Sequence, residues 1–225
     1  MKISALLAVA ATMVAMPAMA VQVFSTGYDT PNGGGQASGG SYNYWDLAYS
    51  GSGSTNIDGA ALSGGSGDLT DGVVANNSWY ATEVSAGTGP YVGWYEPGLG
   101  GQRSPTVTFH FAGGTTITDI NIHLDNVIYG GVESPIQILI DGINTPFVGP
   151  TPGTNGFVNF TGLSLSGASH TVQFVQAQGR WVFVSEVTFD GRTGGGVPEP
   201  ASWALMIAGF CLVGGALRSR RAVTA

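Results

Sequence analysis

Short apolar–polar alternations, each closed by a turn, constrain the fold of this chain more than any other feature. From Thr106 to Phe111, Val107, Phe109 and Phe111 alternate with polar residues. The same period of two recurs in later segments: 120–125, 136–140, 157–160, 171–175 and 182–189. Because successive side chains of a strand point to opposite sides, each segment presents one apolar face. Turn residues such as Asp141-Gly142 separate the segments, which is typical of antiparallel strands.

The first half of the ectodomain gives weaker strand signals. Val21–Tyr28 is predicted as a first strand, and the glycine-rich stretches 31–40 and 50–67 are predicted as loops. Three short aromatic segments are predicted as further strands: Asn43–Ala48, Ser78–Glu83 and Tyr91–Tyr95. Outside the termini, no segment combines helical periodicity with a start cap. The sequence therefore predicts an all-β, antiparallel, jelly-roll-like β-sandwich over residues 21–193.

The charge of this ectodomain limits its partners. Four of the seven Lys and Arg residues lie in the terminal segments, which leaves three Arg against thirteen carboxylates and a formal charge of −10. Nucleic acid is not an expected partner, because binding phosphates requires a basic surface. Cations and neutral sugars suit such a surface better. The single cysteine, Cys211, lies in the C-terminal apolar run, so the apolar core must stabilise the domain without a disulfide.

The N-terminus has the pattern of a secretory signal peptide. Lys2 precedes an apolar run from Ile3 to Met16, and Pro17 ends that run before Ala18-Met19-Ala20. This order of a charged region, a short apolar region and an A-x-A site predicts cleavage after Ala20, with Ala18 and Ala20 as the recognised residues. Residues 1–20 are therefore predicted as a signal helix that directs export.

The C-terminal sequence predicts an extended peptide held at the membrane surface by a membrane-spanning helix. After the linker Gly194–Gly196, the prolines of Val197-Pro198-Glu199-Pro200 keep that tetrapeptide extended and accessible. The uncharged run from about 201 to 217, with its flanks, is just long enough to span a bilayer as a helix. Trp203 is expected at one interface, and the arginines would be retained on the cytoplasmic side: Arg218, Arg220 and Arg221.

These tail residues, taken in order, resemble the PEP-CTERM sorting signal of Gram-negative bacteria. The resemblance covers residues 197–225 and implies recognition by an exosortase, a membrane cysteine transpeptidase. It also implies an inner-membrane-anchored precursor that becomes a cell-surface or exopolysaccharide-matrix protein. The alternative is an ordinary C-terminal membrane anchor with a proline-containing stalk.

A second resemblance covers about residues 68–191. Its segments, in order, are similar to the galactose-binding-like jelly roll of discoidin domains and related carbohydrate-binding modules: Leu69–Gly72 with Ser78-Trp79, Pro105–Phe111, Ile117–Leu124, Gly131–Pro135 with Asp141-Gly142, and Val184–Gly191. Many members of that family hold one structural Ca²⁺ near the sheet edge. The resemblance places its carboxylate ligands at Asp71 and Glu186, beside backbone carbonyls. Asp68 and Asn76 are further candidates as accessory ligands. The alternative is that Asp71 only forms the turn and Glu186 faces solvent.

Aromatic residues in or beside predicted loops are candidate ligand contacts, because amphipathic rings stack on the apolar faces of sugars. The candidates are Trp45, Trp94, Tyr95, Tyr129 and Trp181. Packing at sheet corners is the alternative for each of them, and Trp79 is assigned to the core.

Catalysis has little support in the sequence. The histidines lack metal-ligand spacing, and His110 and His123 are expected to be exposed on strands. A glycosidase needs a pair of carboxylates, and the spacing of the available ones singles out no pair: Glu83, Glu96, Asp125 and Glu133.

The sequence thus predicts an exported, non-enzymatic surface or matrix protein whose β-sandwich serves adhesion or binding, with polysaccharide as the first expected ligand. A passive matrix component and, less favoured, a polysaccharide-degrading enzyme are the alternatives.

Overall fold

The computed structural model describes residues 20–35, 42–83, 89–95, 104–193 and 205–212. Within them, two antiparallel sheets of six strands each form a sandwich, as predicted. The first sheet contains β1 (Val21–Val23), β4 (Val92–Tyr95), β6 (Thr116–Asn126), β9 (Thr154–Phe160), β10 (Leu165–Ser166) and β12 (Trp181–Arg192). The second contains β2 (Gly27–Pro31), β3 (Ala61–Gly65), β5 (Thr106–His110), β7 (Gln137–Ile140), β8 (Ile143–Asn144) and β11 (Ser169–Val175).

Two long strands, β6 and β12, pair along the middle of the first sheet. β1 and β4 share the other edge of β12, while β9 and β10 share the other edge of β6. The second sheet has the order β3-β2-β5-β11-β7-β8. A register shift between Val184 and Glu186 marks an irregularity in β12. Such a bulge re-aims the side chains that follow it, and Glu186 lies there.

The main core fills the space between the sheets. Val107 and Phe109 of β5 are fully buried against residues such as Ile122 and Phe189. These are the apolar positions of the alternating segments, so the predicted strand faces are confirmed for the second half of the domain. Burial of these faces is the main favourable term in folding.

A smaller apolar cluster covers part of the first sheet. Phe183 belongs to this cluster, whereas its neighbours Val182 and Val184 belong to the main core, so the cluster lies on the opposite face of β12. Its buried members are Tyr44, Ala75, Trp79, Tyr91, Val132 and Phe183. The first sheet is therefore covered on both faces in this region.

This second cluster explains most errors of the strand prediction. Ser78–Glu83 is not a strand: Trp79–Thr82 forms a short helix, α1, which directs Trp79 into the cluster. Asn43–Ala48 is also irregular, because the buried Asp46 carboxylate accepts hydrogen bonds from the Tyr28 hydroxyl and from the Asp68 N–H. Tertiary contacts override aromatic strand propensity in both segments.

Two further boundaries were wrong. Val21–Tyr28 is not one strand, since β1 pairs with β12 whereas β2 begins the adjoining sheet at Gly27. The predicted loop 50–67 contains β3, which pairs with β2.

The glycine-rich segment 32–35 is ordered by close packing. A Cβ atom added at Gly33 would lie 1.9 Å from the Tyr44 carbonyl oxygen, so only glycine fits there. The Asn32 side chain is fully buried and its carbonyl oxygen accepts from the N–H groups of Gly33 and Asp46. This part of the predicted loop is therefore a packed element of the fold.

Near the C-terminus, the structure describes one short helical segment. Residues 205–212 are helical and exposed. Among the helices described, none has the length and hydropathy needed to cross a bilayer. All but Ala20 of the predicted signal peptide 1–20, the linker 194–196, and residues 201–204 and 213–217 of the predicted span lie outside the described residues.

Candidate functional site

An open hollow lined by aromatic rings is the main candidate site. This aromatic cleft is formed by Tyr42, Trp79, Tyr80, Val127, Tyr129 and Gly130. Its volume is about 860 Å³, which is within the range of small-molecule and cofactor sites. None of its lining side chains carries a charge. The cleft can therefore offer stacking surfaces and tyrosine hydroxyls to a ligand.

Three rings form the centre of the cleft. Trp79 lies at its floor, and Tyr129 stacks over it with ring centroids 6.1 Å apart and an interplanar angle of 17°. Tyr80 stands at 77° to the Tyr129 ring, at 5.6 Å. Tyr129 is 68% exposed and Tyr80 is 43% exposed. The two exposed rings therefore make a corner with free aromatic surface.

The turn that carries Tyr129 is shaped by positive φ angles. Ile128, Gly130 and Gly131 have φ values of 67°, 66° and 78°. A Cβ atom at Gly130 would approach a ring carbon of Trp79 to 2.8 Å. Gly130 therefore allows the turn to lie directly against the indole, whose Nε1 donates to the Tyr129 carbonyl oxygen at 3.3 Å.

A buried carboxylate joins two of the three segments that line the cleft. Asp125, at the end of β6, is fully buried; its Oδ2 accepts from the Trp79 N–H at 2.7 Å and its Oδ1 accepts from the Val127 N–H at 3.0 Å. Burial raises the pKa of Asp125 to about 6, although both hydrogen bonds act in the opposite direction. Asp125 thus holds α1 and the turn together without facing the cleft.

Only Tyr129 among the predicted ligand contacts lies in this cleft. Trp94 is fully buried; its ring stacks on Phe174 and its Nε1 donates to the Pro31 carbonyl oxygen at 2.8 Å. It cannot contact a ligand, so its assignment as a ligand contact was wrong. Trp94 was expected beside a loop at the end of the predicted strand Tyr91–Tyr95, but the strand phase of β4 turns it towards the main core.

The other predicted rings lie elsewhere. Trp45 covers Gly35, and its Nε1 donates to Asp58 at 2.7 Å. Trp181 packs against Gly34 and lies 5.0 Å from the ring of Tyr95, which is 37% exposed. Trp45 and Trp181 are half-buried. These contacts indicate that both tryptophans support the glycine-rich segment.

Sequence reasoning missed Tyr42 and Tyr80. Both were passed over in the search for loop aromatics, and the strand predicted at Ser78–Glu83 hid the helical turn that exposes Tyr80. The assignment of Trp79 to the core agrees with its 6% exposure. Its indole nevertheless forms the floor of the cleft.

A second, smaller cavity brings together the two residues predicted to bind calcium. This acidic pocket, of about 120 Å³, is lined by Thr70, Asp71, Gly72 and Glu186, together with residues of 22–25 and 187–189. Glu186 is buried and its Oε2 accepts from the Gly72 N–H at 2.8 Å. Asp71 is exposed, and its Oδ1 accepts from the Val73 N–H at 2.8 Å, as in an Asx turn. Asp71 therefore does shape its turn, but Glu186 does not face open solvent.

The groups in the acidic pocket fit a hard cation in part. Burial, and then the nearby Asp71 charge, raise the pKa of Glu186 to about 7. The Thr70 hydroxyl oxygen is buried and has no hydrogen-bond partner in the described part of the chain. Oxygen atoms of these types are what Ca²⁺ prefers. Among the described residues, however, no three His, Cys, Asp or Glu side chains come together as a metal cluster.

The proposed accessory ligands are not equivalent. Asp68 is 8% exposed, and burial, followed by repulsion from Asp46 and Asp71, raises its pKa to about 8. Asn76 is exposed. Neither residue lines the acidic pocket.

The carboxylates considered for catalysis have structural partners. Glu83 is buried, its Oε1 accepts from the Tyr91 N–H at 2.9 Å, and burial raises its pKa to about 7. Glu133 pairs with Arg180 at 3.3 Å. Glu96 lies outside the part of the chain that the structure describes. Asp125 and Glu83 are therefore occupied in holding backbone N–H groups.

The prediction that His123 is exposed was wrong. His123 points away from the main core, as its strand phase requires, but it is 4% exposed beneath Tyr91 and Phe157. Its Nδ1 lies 2.7 Å from the Ser185 hydroxyl. Burial lowers the pKa of His123. The covering of the outer face by the second cluster, which the alternation could not reveal, accounts for the error. His110 is half-buried and lies 2.9 Å from Asp29.

The predicted sorting residues cannot be placed. Val197, Pro198, Glu199, Pro200, Trp203, Arg218, Arg220 and Arg221 fall outside the described ranges, as does Ala18. Ala20 is described and exposed.

A β-sandwich with an open aromatic cleft and a carboxylate-lined pocket defines a small all-β module. Comparison with known families specifies it further. Residues 25–141, more than half of the chain, match the family described as the discoidin domain-containing receptor 1/2, DS-like domain. The chain belongs to this family, and the resemblance to discoidin domains is confirmed. The matched range begins at residue 25, earlier than the predicted resemblance, which began at about residue 68, and it includes the glycine-rich segments.

The tail gives a second match. Residues 196–221 match the PEP-CTERM protein-sorting motif, so the predicted sorting signal is confirmed. The motif implies an exported, surface-sorted protein that an exosortase processes. Neither matching family is a catalytic domain.

Other comparisons add little. No curated protein matches the chain. Among solved structures, a chain from the Streptococcus pneumoniae beta-galactosidase BgaA is 11% identical, with 54% of this chain and 82% of that chain covered and a TM-score of 0.36. At that TM-score the likeness supports no further conclusion.

Proposed function

We propose that this protein is displayed on the surface, or in the extracellular matrix, of a Gram-negative bacterium and binds neutral polysaccharide through the aromatic cleft. The observation that supports this most is the corner formed by the exposed rings of Tyr80 and Tyr129 above Trp79. Pyranose rings have an apolar face and hydroxyl groups at the edge, which suit a ring face bordered by tyrosine hydroxyls. Membership of a discoidin-type family adds to this argument.

The charge of the domain selects among polysaccharides. The cleft has no charged lining residue, and the ectodomain carries thirteen carboxylates against three arginines. Uronic acid polymers would be repelled by this field. We therefore expect neutral glucans or galactans to bind better than alginate.

Affinity electrophoresis of the purified full-length chain tests the proposal. Gels that contain hydroxyethylcellulose, laminarin or galactan are compared with gels that contain alginate. We expect at least one neutral polymer to retard the protein and Tyr129→Ala to weaken that retardation about fivefold to tenfold, the value of one aromatic contact. Tyr95→Ala, which removes an exposed ring outside the cleft, is the matched control.

Two results would contradict the binding proposal. If none of the three neutral polymers retards the protein, the passive structural role replaces specific binding. If Tyr129→Ala and Tyr95→Ala weaken retardation equally, binding does not depend on the cleft. Release of reducing ends from a retarding polymer would replace the non-enzymatic proposal by a degradative one.

We also propose that one structural Ca²⁺ binds in the acidic pocket. Asp71 and Glu186 would supply its carboxylate oxygens, and the unpartnered Thr70 hydroxyl and backbone carbonyls would complete the ligands. The ion would neutralise Asp71 and the Glu186 carboxylate in the middle of β12, and would stabilise the loop that contains Gly72. This role is structural and is separate from polysaccharide binding.

For sorting, we propose that the precursor is held in the inner membrane by the apolar run 201–217 until an exosortase cuts near Pro198. Mass spectrometry of the mature protein from cells with and without an exosortase tests this step. We expect the mature chain to lose Arg218–Arg221 only when the exosortase is present. A mature chain that retains these residues in such cells would support the ordinary-anchor alternative.

A further inference from the structure

The segments that carry Tyr80 and Tyr129, the two exposed rings at the centre of the aromatic cleft, have no direct backbone pairing to fix their spacing. Tyr80 is on α1, and Tyr129 is on the turn that follows β6. A ligand that contacts both rings needs them at one fixed separation, because misplacement of contact groups by about 1 Å already weakens recognition strongly. The Trp79 Nε1 bond to the Tyr129 carbonyl oxygen links the two segments through a side chain, and a further group is needed to fix the backbone of α1 relative to that of the turn.

Asp125 is placed to do this. One oxygen of its carboxylate accepts from Trp79 in the first turn of α1, and the other accepts from Val127 at the start of the turn. Both acceptors belong to one rigid planar group, so α1 and the turn are held at a fixed distance. We infer that Asp125 is a positioning residue that holds the Tyr80 and Tyr129 segments of the aromatic cleft in their binding geometry, so that its protonation loosens the cleft and releases ligand. This inference rests on the proposed binding function.

The chemistry of the carboxyl group gives the direction of the effect. An ionised carboxylate accepts on both oxygens, whereas a protonated one carries an O–H on one oxygen and becomes a poor acceptor there. One of the two N–H groups would then lose its partner in a fully buried position, which is costly. Because burial raises the pKa of Asp125 to about 6, the loss of ligand affinity on acidification should centre near pH 6.

Neighbouring titratable groups do not reproduce this behaviour. Tyr91, ahead of β4, has a pKa raised by burial and stays neutral across this range. Glu83, beyond α1, bonds to the Tyr91 N–H and has a pKa of about 7. His123, two residues before Asp125 on β6, has a pKa lowered by burial and bonds to Ser185 rather than to the cleft. None of them contacts either the Trp79 or the Val127 N–H.

Amide NMR tests the positioning role without any ligand. In the full-length wild-type chain, the Trp79 and Val127 amide proton shifts should titrate together with a midpoint near pH 6. The Tyr91 amide is the internal control and should follow Glu83, with a midpoint near pH 7. If the Trp79 and Val127 shifts do not change between pH 5 and 8, or have different midpoints, the inference is wrong.

Binding to the neutral polymer that retards the wild type tests the consequence. Wild-type affinity should fall roughly tenfold from pH 7.5 to pH 5. D125N keeps one acceptor oxygen and places an NH₂ group at the other position. At pH 7.5 it should therefore bind about tenfold more weakly than the wild type, and its own affinity should change little between pH 7.5 and pH 5. D119N, a β6 carboxylate whose bonds lie outside the cleft, should keep the wild-type profile.

The outcomes separate the two proposals. The positioning role is wrong if the wild-type affinity is the same at pH 7.5 and pH 5, or if D125N binds as tightly as the wild type at pH 7.5. Either result leaves the binding function intact. A wild type that binds no neutral polymer removes the binding function, and the amide titration still decides whether Asp125 couples α1 to the turn. If D125N fails to fold, the wild-type pH profile and the amide titration carry the test.

Discussion

The aromatic cleft and the acidic pocket use a buried carboxylate in opposite ways. In the cleft, Asp125 is hidden behind the rings and both of its oxygens accept backbone N–H groups. In the pocket, Glu186 lines the cavity itself, and one of its oxygens accepts from Gly72. Burial raises the pKa of both groups, to about 6 and about 7.

The difference shows how the same side-chain chemistry serves different purposes. A carboxylate whose hydrogen-bonding capacity is used by the backbone acts on geometry, whereas one that faces a cavity next to another carboxylate carries unsatisfied charge. The first stabilises ring positions, and the second is suited to a cation. Substitutions of the cleft rings, of the acidic-pocket carboxylates and of the main core should therefore have separable effects on ligand binding, on the response to Ca²⁺ and on stability.

The largest effect is expected from a ring that serves neither site. Trp94→Ala removes a fully buried ring from between the sheets and should lower the free energy of unfolding by about 3–5 kcal/mol. Urea denaturation monitored by circular dichroism measures this. A loss below about 1 kcal/mol would show that the core tolerates the cavity and that Trp94 is not a core residue in solution.

How far the sequence predicts this arrangement differs between the two halves of the domain. From Thr106 onwards, the alternation identified every long strand, because each has one face in the main core. Before that point, Trp79 and Tyr44 pack on the outer face of the first sheet, where period-two patterns carry no information about what covers them. The Asp71–Glu186 association came from the resemblance to a family rather than from any local pattern.

The rings of the cleft show the same limit. Tyr129 was identified because it lies in a turn, but a turn alone does not distinguish it from Trp45, which covers a glycine. Tyr80 was missed because its exposure depends on α1, and α1 depends on Asp125, forty-five positions later in the chain. Contacts between residues so distant in sequence leave no local trace in it.

The next effect concerns the acidic pocket. If Ca²⁺ binds the native chain, a concentration 100-fold above its Kd should raise the free energy of unfolding by about 2.7 kcal/mol. Glu186→Gln keeps an acceptor for the Gly72 N–H but removes the charge, so its Tm should not respond to Ca²⁺. Asp119→Asn is the matched control and should respond like the wild type. Equal responses of the wild type and Glu186→Gln would place the ion elsewhere.

A smaller effect should appear as a pH dependence of stability without Ca²⁺. The native pKa values of Asp68, Glu83 and Glu186 are raised to about 8, 7 and 7, mainly by burial. Unfolded carboxyl groups titrate near pH 4, so the native state binds more protons and stability falls as the pH rises through these values. The lowered pKa of His123 has the opposite effect, but only below about pH 6.5.

We therefore expect the free energy of unfolding to decrease by about 2 kcal/mol between pH 6.5 and 8.5 in EDTA, allowing for partial solvation of these carboxyls. Saturating Ca²⁺ should reduce this decrease, because the ion replaces the protons in the acidic pocket. Denaturation curves at several pH values measure both. Stability that rises over this range in EDTA would contradict the native pKa values on which the comparison rests.

The smallest effect is expected from the cleft itself. Tyr129 is 68% exposed, so Tyr129→Ala should change the free energy of unfolding by no more than about 0.5 kcal/mol, although it weakens polysaccharide binding. The variant should also keep the full response to Ca²⁺, since Tyr129 does not line the acidic pocket. Thermal denaturation with and without Ca²⁺ checks both expectations. A loss of stability near that of Trp94→Ala would mean that the Tyr129 ring, stacked on Trp79, supports the fold. The effects of the cleft rings on binding could then not be separated from their effects on stability.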